Sequence, residues 1–425
     1  MMILLGVCFY DTFDETNMSK VIPAGYAFIT ESGLENYMSK NQLGVLSSLA
    51  GEVLIDSLEI PILAFKINLD NLIIKDINPP SVKIVLNPMK QQGSLQFSNL
   101  SFYLSLEFSI NQQTWPFLTD AGIGQISLIN VELSTTLKFV ASECKDMYNF
   151  LRVGQQFKIK ELTMTLSGSL SYIYNSILSL LQDVLINQLN GPLGNSIVDI
   201  LITSLNSQMD VWYNRAGVSG SMTISDGRWL HAPYIVDRGI YLDISFQRCQ
   251  LVSNTTTGDR CIGNYSEQML EKPNFLTNSE LQTYASRTAF NAGFSLFKEQ
   301  QKILTIQSDI YQINIINLTQ FTNIGAKILI ELQKGENIFT AIFFSNITAK
   351  EVNKKDYMFQ LHFDRYIMTS ENFSPLIQSS VTEILTKQFY NYQLTYTNME
   401  NYDWKTFFII YINHDWISSN VDLLK

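Results

Sequence analysis

Residues 21–56 read VIPAGYAFITESGLENYMSKNQLGVLSSLAGEVLID, and this stretch decides the fold. Ser32 and Glu35 have the spacing of a capping box, in which two side chains satisfy backbone groups at a helix start. Apolar residues then recur at roughly helical spacing, at Leu34, Met38, Val45 and Leu49. An apolar run containing Phe28 precedes the cap, and a strand-like segment starts at Val53. The stretch therefore predicts a one-faced helix between two extended segments.

The next part of the chain has the period of β-strands. Phe102, Leu104 and Leu106 alternate with Tyr103 and Ser105, which predicts a strand with one buried face. Neighbouring strand-like segments are separated by short turns with no helix between them, an order typical of an antiparallel meander.

A second helical stripe follows the meander. Ile173, Ile177 and Leu181 lie on one face of a helix that begins near Ser169, and the apolar pattern resumes after Pro192. Proline inside a helix predicts a kink or a break at that point.

The second half repeats this order of elements. A second capping box at residues 277–280 predicts a helix through Leu281 and Tyr284, further strands follow, and a last helix runs through Ile377 and Val381. A chain of 425 residues is also long for one core. We therefore expect an N-terminal segment at 1–19 and two similar domains at 20–225 and 226–425.

Composition and charge exclude several classes of function. The net charge is −10 and no basic tract occurs, which argues against a nucleic-acid partner. No apolar run approaches the roughly 18 residues of a transmembrane helix. Residues 1–10, MMILLGVCFY, resemble the apolar part of a signal peptide, so we expect an extracellular protein or one in the lumen of the secretory pathway.

The residues that carry chemistry are few. The chain has three histidines and none of the common catalytic or metal-binding motifs, so we expect no enzyme, no metal and no cofactor. Cys249 and Cys261 flank a polar loop with the glycosylation sequon at Asn254, and predict a local disulfide. Cys8 and Cys144 have no evident partner. Binding is the better hypothesis, and periodicity alone favours a solid core over an apolar tube between helix and sheet.

Residues 21–40 resemble the N-terminal signature of the bactericidal/permeability-increasing protein and lipopolysaccharide-binding protein family, within the tubular lipid-binding superfamily. The matching positions are Pro23, Gly25, Gly33, Leu34, Glu35 and Tyr37. The order of elements downstream is also similar over nearly the whole chain. The resemblance implies an α+β fold of two tandem barrels, each a highly twisted antiparallel sheet wrapped around two helices, joined by a central sheet into a boomerang.

The resemblance also implies that each barrel holds lipid acyl chains, which reverses the preference for a solid core. The expected groove residues are apolar side chains on helices and strands of both halves: Phe28, Leu34, Met38, Val45, Leu49, Phe102, Leu104, Leu106, Ile173, Ile177, Leu181, Leu281, Tyr284, Ile377 and Val381. We expect a monomer that binds lipid, most of all phospholipid, and that contacts membrane surfaces transiently.

Two features depart from the family pattern. The family's disulfide in the first domain has a first partner at Cys144, but the matching helix position around residues 190–194 has no cysteine. Residues 20–225 carry 12 basic and 16 acidic side chains, a net charge of −4, where endotoxin-binding members are basic. The leading hypothesis is therefore a binding and transfer protein for neutral or zwitterionic lipid. The alternatives are a lipopolysaccharide binder, which the charge disfavours, and a scaffold protein whose grooves are filled by side chains.

Overall fold

The computed structural model describes most of the chain between residues 23 and 423. It leaves out 48–49, 52, 63, 79, 143–147, 171–177, 179–181, 213–222, 227–228, 246, 253–259, 263–269, 271, 274–278, 301–302, 323–324, 354–357, 370–373, 391–392, 396–403 and 412–415. The predicted signal segment at 1–19 lies outside the described residues. Among the described residues, no helix combines the length and the apolar character needed to span a bilayer.

Four helices and 22 strands make up the described fold. The helices are α1 Glu31–Ser47, α2 Gln182–Trp212, α3 Arg287–Gln300 and α4 Pro375–Tyr390. The strands are β1 Gly25–Thr30, β2 Val53–Ile62, β3 Phe65–Asn78, β4 Ser81–Asn87, β5 Gln92–Gln112, β6 Thr119–Ala141, β7 Tyr148–Lys158, β8 Glu161–Ser167, β9 Thr223–Asp226, β10 Tyr234–Val236, β11 Gly239–Ile244, β12 Gln247–Val252, β13 Arg260–Ile262, β14 Leu281–Ser286, β15 Ile303–Ile306, β16 Asp309–Thr322, β17 Gly325–Lys334, β18 Asn337–Asn353, β19 Met358–Thr369, β20 Gln393–Thr395, β21 Trp404–Tyr411 and β22 Trp416–Leu423.

Each half contains an antiparallel meander, as predicted. The first has the order β2-β3-β5-β6-β7, with β4 also paired to β5 and β8 to β6. The second has the order β15-β16-β17-β18-β19-β20, and β13-β12-β9 form a small separate sheet. Among the described strands, no sheet closes on itself into a barrel.

A third large sheet combines strands from both ends of the chain. Its order is β10-β11-β1-β14-β22-β21, so β1 of the first half lies beside β14 of the second. A hairpin flanks this central pair on each side. The second strand of the hairpin β10–β11 pairs with β1, and the second strand of the hairpin β21–β22 pairs with β14. The sheet is therefore internally symmetric about the β1–β14 pair.

Hydrogen bonds at the β1–β14 pair follow the same symmetry. Thr30 N donates to Glu280 O, and Ser286 N donates to Ala24 O, both at 2.9 Å. The Thr30 hydroxyl accepts from Gly33 N, and the Ser286 hydroxyl accepts in the same way from the first turn of α3. Thr30 and Ser286 are thus equivalent helix caps in two strand–helix units related by an approximate two-fold axis.

These caps correct the two predicted capping boxes. Helix α1 begins at Glu31 with Thr30 as its cap, and Glu35 accepts instead from Ile84 N of β4. The helix predicted after the second capping box is wrong at its first residues, because Leu281 and Tyr284 lie on strand β14. Pairing of β14 with β1 and β22 on its two edges overrides the local helical pattern.

Helix α2 runs without a break through Pro192. The proline is exposed, while Leu189 and Leu193 beside it are completely buried. Proline removes one backbone hydrogen bond, and packing of the buried stripe offsets that loss. The helix belongs to the same hydrophobic cluster as the first meander, and a separate cluster lies in the second half. The domain boundary at residues 225 and 226 stays a prediction.

Candidate functional site

The first half has one continuous apolar interior between α2 and the meander. On β5, Phe102, Leu104 and Leu106 are all buried, as their alternation predicted. Helix α2, which packs against β2, β7 and β8, adds a stripe of residues spaced by four positions and almost free of solvent contact: Leu185, Leu189, Leu193, Ile197 and Leu201. All belong to one hydrophobic cluster, and Met38 of α1 joins it.

Helix α1 is fixed beside this interior by polar contacts. Its carboxylates Glu31 and Glu35 accept from Leu86 N at 2.8 Å and from Ile84 N at 2.9 Å. Among the described strands, β4 pairs only with β5, so these two N–H groups belong to its open edge. Buried or half-buried backbone donors need partners, and the two carboxylates supply them. The helix thus covers a strand edge as well as part of the core.

The second half has its own apolar interior. Phe290 and Phe294 of α3 and the predicted Ile377 and Val381 of α4 are buried in one cluster with the meander strands β16, β17 and β18. Phe290 also packs edge-on against Phe321 of β16. Each half therefore places two helices against one face of its sheet, the arrangement from which a lipid groove or a solid core is built.

The predicted groove residues do not all lie in the two apolar interiors. Met38, Phe102, Leu104 and Leu106 lie in the first interior, and Ile377 and Val381 lie in the second. Leu34 is half-buried on α1. Phe28, Leu281 and Tyr284 lie in the central sheet, outside both clusters. Leu49, Ile173, Ile177, Leu181 and the side chain of Val45 lie outside what is described, as do the side chains of Cys249 and Cys261.

Sequence reasoning missed an exposed aromatic pair at the far end of β5. Trp115 and Phe117 occupy the turn between β5 and β6 and are 83% and 62% exposed. Strand β5 has 21 residues, so its two ends are separated by about 70 Å along the strand. The sequence feature that could have indicated this pair is the run of residues 108–119, which has no charged residue between Glu107 and Asp120 and contains Trp115 and Phe117 on either side of a proline. We call residues 112–118 the tip loop.

Backbone hydrogen bonds hold the tip loop in one conformation. Gln112 N donates to Leu118 O at 2.8 Å, Phe117 N donates to Thr114 O at 2.8 Å, and Gln113 N donates to Ala64 O at 2.6 Å. Phe117 has a φ of 57°, in the left-handed region that bulky residues rarely occupy. Such a conformation costs about 1–3 kcal/mol and is common at functional positions. The loop therefore presents two aromatic rings to solvent from a rigid base.

One face of the central sheet carries a cluster of tyrosines. Tyr26 and Tyr241 stack with ring centroids 5.3 Å apart, and Lys272 Nζ lies 3.3 Å from the Tyr241 ring centroid. Burial first, and then the nearby Asp243 carboxylate, raises the pKa of both tyrosine hydroxyls. Burial also lowers the pKa of Lys272, although the Asp243 charge opposes that shift.

No group of three or more histidine, cysteine, aspartate or glutamate side chains in the described part of the chain could hold a metal ion. The described histidine side chain, His231, pairs through Nδ1 with Asp243 Oδ2 at 2.8 Å and is largely exposed. The features best developed in the structure are thus apolar interiors, an aromatic tip and an aromatic sheet face.

Comparison with known proteins identifies the fold. The crystal structure of lipopolysaccharide binding protein superposes with a TM-score of 0.57 at 13% identity, covering 95% of this chain and 99% of that one. Takeout 1 of Epiphyas postvittana covers 41% of this chain and 90% of its own, with 10% identity and a TM-score of 0.31, which is too low to support an argument. No family model matches the chain. No curated protein matches it by sequence. The chain has the fold of lipopolysaccharide binding protein, and the predicted resemblance is confirmed at that level.

Proposed function

We propose that this chain is a non-enzymatic lipid-binding protein that holds the acyl chains of phospholipid, or of another neutral or zwitterionic lipid, in its two apolar interiors. The observation that carries the proposal is the shared fold over 95% of the chain, with a protein whose name states that it binds lipopolysaccharide. The buried stripe of α2 and the buried face of β5 lie in one cluster and supply the apolar surface that such a ligand needs.

The proposal includes the finer architecture that the family resemblance implies. Each meander would wrap its two helices as one barrel, the barrels would occupy residues 20–225 and 226–425, and the central sheet would join them into a boomerang. The symmetric order of the central sheet supports a tandem arrangement, because each half contributes an equivalent strand–helix unit.

We propose that the tip loop is where the protein contacts a lipid surface. Tryptophan favours the membrane–water interface and phenylalanine the apolar layer just below it, and Trp115 and Phe117 are exposed at the end of a long rigid hairpin. A protein that contacts a surface and holds single lipids can move lipid between surfaces. This activity fits a monomer outside the cell or in the secretory lumen.

Charge favours zwitterionic over phosphate-rich ligands. The chain has a net charge of −10, and the tip loop itself contains no charged residue. Recognition of a strongly anionic headgroup requires a positive field, which the described tip does not supply. Lipopolysaccharide is therefore disfavoured as the ligand.

Side-chain substitutions that fill one interior at a time test the proposal. We expect the full-length protein to take up fluorescent phosphatidylcholine. Met38→Trp should reduce uptake if the acyl chains bind in the first half, and Val381→Trp should reduce it if they bind in the second half, since the added side-chain volume competes with an acyl chain. Ser39→Trp, on the exposed side of α1, is the matched control and should not change uptake. Wild-type protein that takes up no lipid would instead support the scaffold alternative, in which side chains fill the grooves.

A further inference from the structure

The aromatic face of the central sheet is built by strand register. Tyr26 of β1 lies directly opposite Asp243 of β11 and opposite Tyr284 of β14. Tyr241 of β11 lies opposite Phe28, two positions away on the same face. The Tyr26 and Tyr241 rings stack with an interplanar angle of 26°, and Tyr284 is completely buried beside them. The face therefore combines several aromatic rings with one carboxylate.

A cation already lies on these rings. Lys272 Nζ is 3.3 Å from the Tyr241 centroid and 5.7 Å from the Tyr26 centroid, within the distance of about 6 Å over which cations and aromatic faces attract. Lysine has a flexible four-carbon stem, and Lys272 lies at the exposed surface, so its ammonium group can leave the rings without unfolding the sheet. The rings thus form a place for a positive charge that the chain itself occupies.

The carboxylate of Asp243 lies on the same face, beside the Tyr241 hydroxyl, which hydrogen-bonds to it. Its Oδ2 also pairs with His231 Nδ1 at 2.8 Å, so donors already hold the carboxylate in place. Its negative charge favours a cation on the rings, and it acts on the Lys272 ammonium in this way. A cation that needs no hydrogen bonds would gain from the same charge without having to displace those donors.

We propose that Tyr26, Tyr241 and Asp243 form a box for a quaternary ammonium group, as in the choline headgroup of a zwitterionic phospholipid, and that Lys272 occupies this box when no ligand is bound. A quaternary ammonium has no N–H donors to satisfy, and aromatic faces with a nearby negative charge are the usual means of recognising it. The lysine ammonium is a less suitable occupant because it is strongly hydrated and loses water when it covers the ring. The inference rests on the proposed lipid-binding function and names the headgroup.

Free choline tests the box without involving acyl chains. Saturation transfer from the full-length protein to the choline N-methyl protons should detect binding, and Lys272→Ala should tighten it about tenfold because the competing ammonium is removed. Tyr241→Leu should weaken binding roughly 30-fold, whereas Tyr241→Phe, which keeps the ring, should change it little. Lys90→Ala, an exposed lysine on the β4–β5 turn, is the control for a general change of charge.

The outcomes distinguish the box from the lipid-binding function. The box is overturned if choline binds neither to wild type nor to Lys272→Ala. It is also overturned if choline binds equally to Tyr241→Leu and Tyr241→Phe. Vesicles of phosphatidylcholine and phosphatidylglycerol with identical acyl chains then show whether the headgroup determines uptake. Lys272→Ala should increase uptake of the choline lipid and leave uptake of the glycerol lipid unchanged. Choline binding without uptake of either lipid would retain the box and refute the proposed function.

Discussion

Replacing the two aromatic residues of the tip loop should abolish most of the affinity for a lipid surface. Trp115→Ser with Phe117→Asn removes both rings, and asparagine tolerates the φ of 57° at the second position. Aromatic side chains bury about 150–250 Å² each, so rings exposed to 83% and 62% present about 300 Å² in total. Covering about 40% of this area at about 25 cal/mol per Å² contributes about 3 kcal/mol, or roughly 100-fold in affinity.

Sedimentation with phosphatidylcholine vesicles measures this loss directly. Met89→Ser is the matched control, because Met89 is 95% exposed on the β4–β5 turn at the opposite end of β5. The double variant should unfold at the same urea concentration as wild type or slightly above it, since both side chains lie outside the core and the strained phenylalanine is gone. Equal vesicle affinity for the double variant and wild type, with Met89→Ser as the weaker binder, would refute the assignment of the tip loop.

Three further predictions concern stability, measured by urea unfolding of lipid-free protein. Gly33→Ala should lower the free energy of unfolding by about 1–3 kcal/mol, because the new Cβ would lie 2.5 Å from Glu280 O between the two halves. Gly191→Ala is the matched control: this glycine is exposed in α2 with nothing within 4 Å of the new Cβ, so the substitution should raise the free energy of unfolding by about 0.5–1 kcal/mol. Asp120→Ala should cost about 2–3 kcal/mol, because its carboxylate accepts three backbone N–H groups, two of them just after β8; a change below 0.5 kcal/mol would contradict this role. Phe102→Ala should cost about 3–5 kcal/mol, since the ring is completely buried, and an unchanged midpoint would show that it is not packed.

Local pattern predicted the strand faces well. Phe102 and Leu104 are buried and Tyr103 is exposed, as their alternation requires, because a period of two fixes which side chains share a face. The apolar pattern after Pro192 was equally clear, since Leu193 and Ile197 are buried as it predicts. Of the two outcomes predicted at Pro192, the break of the helix is wrong, because packing against the sheet keeps the helix continuous.

Pairing between distant segments could not be predicted from local pattern. Tyr284 lies on a strand because β14 is held between β1 and β22, and those partners lie far away in the sequence. A capping-box pattern with apolar residues after it is typical of a helix, and tertiary contacts override it here. Local pattern also could not identify Thr30 as the cap of α1. Thr30 and Ser32 both carry a hydroxyl near the helix start, and the sequence alone does not show which of the two lies at the end of the strand.

The tip loop was missed for a different reason. Trp115 and Phe117 are apolar, and reasoning from hydrophobicity places such residues inside. Only the structure shows that the turn exposes them. An exposed aromatic is informative because folding alone gives no reason for it, and the absence of charge in the run 108–119 then indicates which kind of surface it suits.

The lipid content of purified full-length protein tests the central claim most directly. Native mass spectrometry of protein from a secretory expression host should show species heavier than the 48.5 kDa polypeptide by one or two phospholipids, which organic solvent releases for identification. Zwitterionic lipids should dominate the extract. Protein that carries no extractable lipid, and that also fails to bind fluorescent phosphatidylcholine, would contradict the account.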